Sequence, residues 1–145
     1  YMAANAKICE YVRHVSRPFI FSASITPASV ACARASLEIL KNEPLRVRRL
    51  GEVSDYMRKA LLSRGVKIVK SATPIIPIYT YEDKTTFEAC TMLFERGVYV
   101  NPVVSPATPA GQSLLRTSYT ATHTFAQLDE AADKIRDVLG ELGVI

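Results

Sequence analysis

The chain has 145 residues and a mass of 16.0 kDa, a length typical of one domain with its own hydrophobic core. Apolar residues make up 48% and charged residues 22%, which excludes a disordered, collagen-like or coiled-coil chain. The net charge of +4 is concentrated in residues 41–70, where nine basic side chains outnumber three acidic ones. We interpret this stripe as a solvated helix face. The alternative is a nucleic-acid surface, although few aromatic side chains lie between the basic ones.

The three cysteines, Cys9, Cys32 and Cys90, lie far apart in the sequence. This odd number excludes a disulfide framework and favours a reducing compartment, so we expect a cytoplasmic protein. No apolar run reaches the length of a membrane span, and the two histidines lie outside any metal-binding motif. The chain begins at Tyr1 rather than Met, and we expect it to be a piece of a longer protein.

Helical and strand-like patterns follow one another along the chain, and proline and glycine mark most of their boundaries. The first half of the chain predicts a helix at 6–15, an extended segment at 19–21, a helix with Thr26 as N-cap and a helix from Pro44 to Gly65. Strands at 66–69 and 75–81, a helix at 83–96 and a strand at 98–100 follow. The last part predicts a proline-rich loop at 101–111, a strand at 114–119 and a helix from the capping box Thr124–Gln127 to about 142.

The order of these elements predicts the fold class. Two long helices precede a β-β-α-β-β-α run, which fits an α+β two-layer sandwich, a small and mostly antiparallel sheet with helices packed on it. We expect residues 1–25 to form a leading arm and residues 26–145 to form one compact domain.

Two polar features depart from the apolar patterns. Arg116 is a charge in the middle of an uncharged strand, and its planar fork suits a carboxylate or phosphate; a structural salt bridge is the alternative. It shares a strand face with Ser118, while Thr117 points the other way. Ser22 and Ser24 precede a helix N-terminus, where hydroxyl and backbone N–H groups can receive a phosphate; plain helix capping is the alternative.

Three segments occur in a fixed order, with Ser71–Ile78 between the first and second. They are Arg17–Pro27 (RPFIFSASITP), Gly97–Pro109 (GVYVNPVVSPATP) and Leu114–Thr124 (LLRTSYTATHT). Together they resemble the C-terminal domain of the α-oxoamine synthases. This family comprises 8-amino-7-oxononanoate synthase, 2-amino-3-ketobutyrate CoA ligase, 5-aminolevulinate synthase and serine palmitoyltransferase. The sequence of the Gly97–Pro109 segment is most similar to that of bacterial serine palmitoyltransferases.

The resemblance implies a fold-type-I, aminotransferase-like homodimer that depends on pyridoxal 5′-phosphate (PLP) and has its active sites at the subunit interface. Such an enzyme condenses an amino acid (glycine, serine or alanine) with an acyl-CoA and releases carbon dioxide. The cofactor-binding lysine would lie a few residues upstream of Tyr1. We therefore expect no catalytic residue within these 145 residues and no activity from them alone.

The resemblance also implies roles for individual side chains of this chain. Arg116 matches the arginine that holds the amino-acid carboxylate. Ser22 and Ser24 match the segment that reaches the cofactor phosphate of the partner subunit. Three further residues are candidates for lining the site: Ser105, Thr108 and His123.

A different class of protein fits the same patterns. A small-molecule-binding or regulatory α/β domain without catalytic function would have the same order of helices and strands. The Arg17–Pro27 segment discriminates between the two classes, because a regulatory module does not need it before its sheet. We expect no nucleic acid among the partners of this chain and no transmembrane segment within it.

Overall fold

The computed structural model describes residues 2–21 and 23–145, so Tyr1 and Ser22 lie outside it. The chain divides into two compact units, Tyr1–Asn42 and Glu43–Ile145, which we name the N-terminal unit and the sheet unit. The sequence places a boundary after residue 25 instead, and that boundary stays a prediction about the longer protein.

The described residues of the N-terminal unit form three helices, α1 (Ala6–Val15), α2 (Arg17–Ile20) and α3 (Pro27–Asn42). Thr26 caps α3 as predicted, since its Oγ1 accepts a hydrogen bond from the backbone N–H of Ser29 at 3.3 Å. The side chains of all three helices lie largely exposed to solvent within this chain.

The extended segment predicted at 19–21 is wrong. Ser16 instead begins a helical turn. The N–H of Ile20 donates to the Ser16 carbonyl at 2.9 Å, and the N–H of Phe21 donates to the Arg17 carbonyl at 2.9 Å. Pro18 tolerates this turn because a residue in the first helical turn needs no hydrogen-bonded N–H.

The sheet unit contains three strands and three helices. They are, in chain order, α4 (Leu45–Ser63), β1 (Ile75–Tyr81), α5 (Asp83–Glu95), β2 (Asn101–Val103), β3 (Ser113–Ser118) and α6 (Phe125–Glu141). The strands pair in the order β1-β3-β2, and both pairings are antiparallel. The predicted small antiparallel sheet with packed helices is therefore confirmed.

The core lies on one face of this sheet. Burial alternates strictly along β3, where Leu115 and Thr117 are buried and Arg116 and Ser118 are exposed, as the sequence predicts. Helices α4, α5 and α6 cover the buried face, and each contributes fully buried side chains. The apolar core residues from the strands and helices are Val53, Met57, Leu61, Ile76, Ile78, Ala89, Leu93, Leu115, Leu128, Ile135 and Leu139.

Two predicted strands are wrong for a shared reason. Gly65 and Gly97 end their helices at positive φ (78° and 81°), and the next residue bonds back to the helix. The N–H of Val66 donates to the carbonyl of Leu61 at 3.1 Å, and the N–H of Val98 donates to the carbonyl of Leu93 at 2.8 Å. Because this helix-end motif occupies the first residue of each predicted strand, segment 66–69 makes only one isolated bridge, and β2 begins later, inside the predicted loop.

The start of α6 lies where the sequence predicts it, whereas one side chain of α5 does not face the core as predicted. The predicted capping box is confirmed, since the Thr124 side chain accepts from the Gln127 N–H and the Gln127 side chain accepts from the Thr124 N–H. The apolar pattern of the predicted helix at 83–96 places Phe87 inward with Cys90 and Leu93. Phe87 is instead 52% exposed, because Thr86, Ala89 and Leu93 form the buried stripe of α5.

Ion pairs neutralise much of the basic stripe at 41–70. Each pair joins a cation to a carboxylate of the same unit, which supports the interpretation of a solvated helix face. The paired side chains are Lys41–Glu38, Arg46–Glu43, Arg49–Glu52, Arg58–Asp55 and Arg64 with Asp129 and Asp133.

We expect Leu115→Ala to lower the free energy of unfolding by about 2–5 kcal/mol, because it opens a cavity between the sheet and its helices. Chemical denaturation of the chain measures this loss. Leu114→Ala is the matched control: it removes the same atoms from the neighbouring, partly exposed position and should cost clearly less. Equal losses would contradict the assignment of the buried face.

A second prediction concerns the bidentate pair between the Arg96 guanidinium and Glu141, with N–O distances of 2.9 and 2.6 Å. The hydrogen bond from Arg96 lowers the pKa of Glu141. A carboxylate with a lowered folded-state pKa stabilises the fold above its unfolded pKa of about 4.3, and this contribution disappears as the pH falls through the folded value.

Glu141→Gln should therefore lower the melting temperature at pH 7 but not in strong acid, where wild type and variant should converge. Thermal unfolding followed from pH 7 downward measures this. Glu88→Gln is the control, since its partner Lys84 lies 3.6 Å away on an exposed helix face. A difference between wild type and Glu141→Gln that persisted in acid would contradict the ion-pair explanation.

Candidate functional site

Arg116 lies at the centre of the sheet face that α4, α5 and α6 leave open. In the antiparallel register it stands directly opposite Pro77 of β1 and Asn101 of β2. Directly opposite residues project to the same side of a sheet. These three residues therefore form one row across the open face, with the cation in the middle.

The Arg116 side chain is exposed and forms no ion pair or hydrogen bond with any residue in the described ranges. The salt-bridge alternative for Arg116 is therefore not realised within the part of the chain that the structure describes. Its five N–H donors remain available to a ligand, and their planar fork matches a carboxylate in two parallel hydrogen bonds.

Partly buried apolar and aromatic side chains border this row. Leu114 lies beside Arg116 on the open face, opposite Tyr79 of β1 and Val103 of β2. The ring of Tyr79 stacks on that of Tyr81, with centroids 5.5 Å apart and an interplanar angle of 9°. The open face thus offers one cation next to apolar contact area, a combination that suits a small anionic organic ligand.

The Asn101 side chain has a defined hydrogen-bond partner. Its Nδ2 donates to the hydroxyl of Tyr99, two residues earlier, at 3.2 Å. The side chain of Asn101 is partly buried, whereas Tyr99 is 73% exposed. The Tyr99 hydroxyl thus orients the amide of Asn101, which is the cross-strand neighbour of Arg116.

Ser105 and Thr108 lie in the loop that follows β2. The N–H groups of Ala107 and Thr108 donate to the carbonyl of Val104 at 2.9 and 3.3 Å, which folds the loop into a tight turn. Ser105 is exposed. The Oγ1 atom of Thr108 is buried and has no hydrogen-bond partner among the residues that the structure describes. A buried hydroxyl without a partner is a candidate ligand contact.

His123 lies in the turn between β3 and α6. Its Nδ1 accepts from the N–H of Thr120 at 3.1 Å, and its carbonyl accepts from Nη2 of Arg49 at 3.4 Å. The ring contacts that of Tyr119 edge-on at 6.2 Å. His123 thus has the structural hydrogen bond that a residue before a helix often makes.

His123 also lines a cavity of about 480 Å³ at the end of β3, together with Ser118 and Tyr119, whereas Arg116 does not line it. Burial raises the pKa of the Tyr119 hydroxyl to about 12, and this hydroxyl donates to Oγ1 of Thr117 at 2.8 Å. The structure therefore places His123 in a neighbouring cavity rather than in the row that contains Arg116.

Ser24 belongs to the N-terminal unit, and Ser22 lies outside the described residues. Ser24 is exposed in the segment before α3, and its hydroxyl has no hydrogen-bond partner among the residues described. Helix α3 is capped by Thr26 rather than by Ser24. The Ser24 hydroxyl is therefore not used for capping, and it remains a donor next to a helix N-terminus.

The sequence did not identify Pro77, Asn101 and Tyr79 as neighbours of Arg116. A cross-strand neighbour can be named only when both strands and their register are known. Segment 101–103, with a proline in its centre, reads as a loop in the sequence. The sequence predicts the strand at 75–81 but not its alignment with β3.

The residues that the structure describes contain no group of three or more His, Cys, Asp or Glu side chains able to hold a metal ion. Within the same ranges, no helix has the length and apolarity needed to cross a membrane. All three cysteines are free thiols.

The sequence model of the aminotransferase class I and II family matches residues 1–135. The chain is 43% identical over 135 residues to a serine palmitoyltransferase of Sphingobacterium spiritivorum, covering 93% of this chain and 34% of that protein. It is 34% identical over 145 residues to 8-amino-7-oxononanoate synthase 1 of Bacillus subtilis, covering 100% of this chain and 37% of that protein. The chain thus spans about a third of the length of the curated relatives it matches.

Solved structures show the same similarity. A serine palmitoyltransferase of Sphingomonas wittichii superposes with a TM-score of 0.77 at 31% identity, covering 99% of this chain and 36% of that one. A structure of SPT with PLP gives a TM-score of 0.77 at 30% identity, with the same coverage of both chains. The fold is that of an aminotransferase-like C-terminal domain, and the chain belongs to the aminotransferase class I and II family.

Proposed function

We propose that this chain is the C-terminal part of an α-oxoamine synthase, a PLP-dependent acyltransferase that condenses an amino acid with an acyl-CoA and releases carbon dioxide. The observation that carries this proposal is the exposed guanidinium of Arg116 at the centre of the open sheet face, which has no partner among the residues that the structure describes. Relatives named serine palmitoyltransferase and 8-amino-7-oxononanoate synthase support the reaction class. Among glycine, serine and alanine we favour serine, since the 43% identical relative bears that name.

In this proposal Arg116 binds the carboxylate of the amino acid. Two parallel hydrogen bonds from a rigid fork fix both the position and the tilt of the carboxylate. The bond to be broken at the α-carbon is thereby held at one angle, and such orientation can lower a barrier by several kcal/mol. When bound, PLP supplies an electron sink for the negative charge that develops at that carbon.

The residues of this chain fit one end of PLP, its phosphate. The Ser24 hydroxyl is exposed, is not used for capping and stands before the N-terminus of α3, which is the chemistry of a phosphate contact. Ser22 is proposed as its companion on the basis of the family resemblance alone. Both would serve the site of the partner subunit in a homodimer, while the cofactor-binding lysine would lie upstream of Tyr1.

Exposed apolar side chains of the N-terminal unit support the proposal that another subunit or domain completes the active site. Phe19, Ile20 and Phe21 are between 50% and 72% exposed, and Tyr11 of α1 is 67% exposed. Apolar patches of this kind mark surfaces that another domain or subunit covers. We accordingly propose that these 145 residues alone are inactive. Free thiols are consistent with a cytoplasmic enzyme.

Arg116→Ala in the full-length protein should raise the KM for the amino acid steeply. Loss of a paired, charge-assisted contact costs about 2–5 kcal/mol, which corresponds to roughly 30-fold to several thousand-fold in kcat/KM. The KM for the acyl-CoA should change little, and the melting temperature should shift only slightly, because the side chain has no partner within the described fold. Steady-state kinetics with each substrate varied in turn measures the effect.

Arg116→Lys is the matched variant, and it should recover only part of the loss, since an ammonium group cannot form the two-pronged contact. An Arg116→Ala enzyme with a normal amino-acid KM would refute the role proposed for this residue. A large fall in melting temperature would instead show that Arg116 stabilises the fold.

Ser24→Ala in the full-length protein should weaken PLP binding by about tenfold or more, because a hydrogen bond to a charged group is removed. Equilibrium dialysis of PLP measures the dissociation constant without any assay of activity. Ser36→Ala is the control: its hydroxyl donates to the carbonyl of Cys32 inside α3, at 2.9 Å, and should not affect the cofactor. Equal PLP affinity of wild type and Ser24→Ala would contradict the phosphate assignment.

A further inference from the structure

Arg116 has two cross-strand neighbours, and they differ in what they can offer a guanidinium. Pro77, on β1, has no polar side-chain atom. Asn101, on β2, carries a carboxamide on the same side of the sheet. Among these two, only Asn101 has a hydrogen-bond acceptor that can orient Arg116.

The hydrogen bond of Asn101 defines which end of its amide is available. Nδ2 donates to the Tyr99 hydroxyl at 3.2 Å, so the amino end is directed to Tyr99. The carbonyl atom Oδ1 has no hydrogen-bond partner among the residues that the structure describes. An amide carbonyl is an acceptor, and a guanidinium has donors only, so the two groups are complementary.

The neutrality of Asn101 is as important as its shape. Opposite charges on directly paired residues of adjacent strands attract one another. A carboxylate at position 101 would therefore occupy the fork of Arg116 and compete with a carboxylate ligand. A carboxamide can hold one N–H of the fork and still leave the positive charge for the ligand.

We propose that Asn101 is a positioning residue: its Oδ1, which makes no hydrogen bond to Arg116 in the described structure, accepts one N–H of the guanidinium when the amino-acid carboxylate binds and so fixes the orientation of the fork. This inference rests on the proposed function, since it assumes that Arg116 binds that carboxylate. Tyr99 acts one step further away, because its hydroxyl directs the amide of Asn101. Both residues lie in the Gly97–Pro109 segment, and neither touches the reacting atoms.

The test uses the full-length PLP-loaded protein, with L-serine as the amino-acid probe. Asn101→Ala should raise the KM and the calorimetric dissociation constant of L-serine about tenfold, because one hydrogen bond to a charged group is lost. Asn101→Asp, which keeps the shape of the side chain, should raise both by considerably more, since it pairs with Arg116. The KM for the acyl-CoA should stay within about twofold of wild type in both variants.

A double-mutant cycle identifies the partner through which Asn101 acts. In an Arg116→Ala background, neither Asn101→Ala nor Asn101→Asp should weaken L-serine binding further. Independent, additive losses would overturn the inference, because Asn101 would then act without Arg116. Pro102→Ala is the control on the opposite face of the same strand, and it should leave L-serine binding unchanged.

Two further outcomes separate this inference from the proposed function. If Arg116→Ala weakens L-serine binding while Asn101→Asp does not, Asn101 is not a positioning residue and the carboxylate clamp stands. If Arg116→Ala leaves L-serine binding unchanged, the clamp itself fails. Should Asn101→Ala unfold, the isosteric Asn101→Asp enzyme still decides the question, and its melting temperature serves as the control for folding.

Discussion

The pairing of β3 with a strand on each side is the constraint on which the sheet unit depends. Leu115 and Arg116 are adjacent in the chain, yet one is fully buried and the other exposed. A slip of one residue in the register would place the guanidinium against Ile76 and Ile78, under the helices. An unpaired charge in such a core is strongly unfavourable. The apolar core that selects the register therefore also places Arg116 on the open face.

The helix ends determine which residues stand beside Arg116. Gly97 ends α5 at positive φ, and the N–H of Val98 bonds back to Leu93. These residues are held by the helix, so the ladder with β3 begins only at Asn101. The carboxamide thereby becomes the cross-strand neighbour of Arg116. A local motif that stabilises a helix end thus has a consequence at the candidate site.

Most of the secondary structure could be predicted from the sequence, because it is encoded in local patterns. The Thr124 capping box, the Thr26 cap and the alternation along β3 depend on residues within a few positions of one another. The partner of each strand, the start of β2 and the row that contains Arg116 depend on register, which no local pattern encodes. The residues alone also left open whether Arg116 forms a salt bridge; its exposure and the family membership favour a ligand.

The charged residues that stabilise the sheet unit differ from the one that is proposed to bind the ligand. At the C-terminal ends of α4 and α5, Arg64 pairs with Asp133 at 2.7 Å, and Arg96 pairs with Glu141 at 2.6 Å. The hydrogen bonds from these arginines lower the pKa of both carboxyl groups. Arg116 has no such partner among the described residues, so the fold gains little from its charge. Substitution of Arg116 should therefore affect ligand binding rather than folding, whereas the helix pairs contribute through folding.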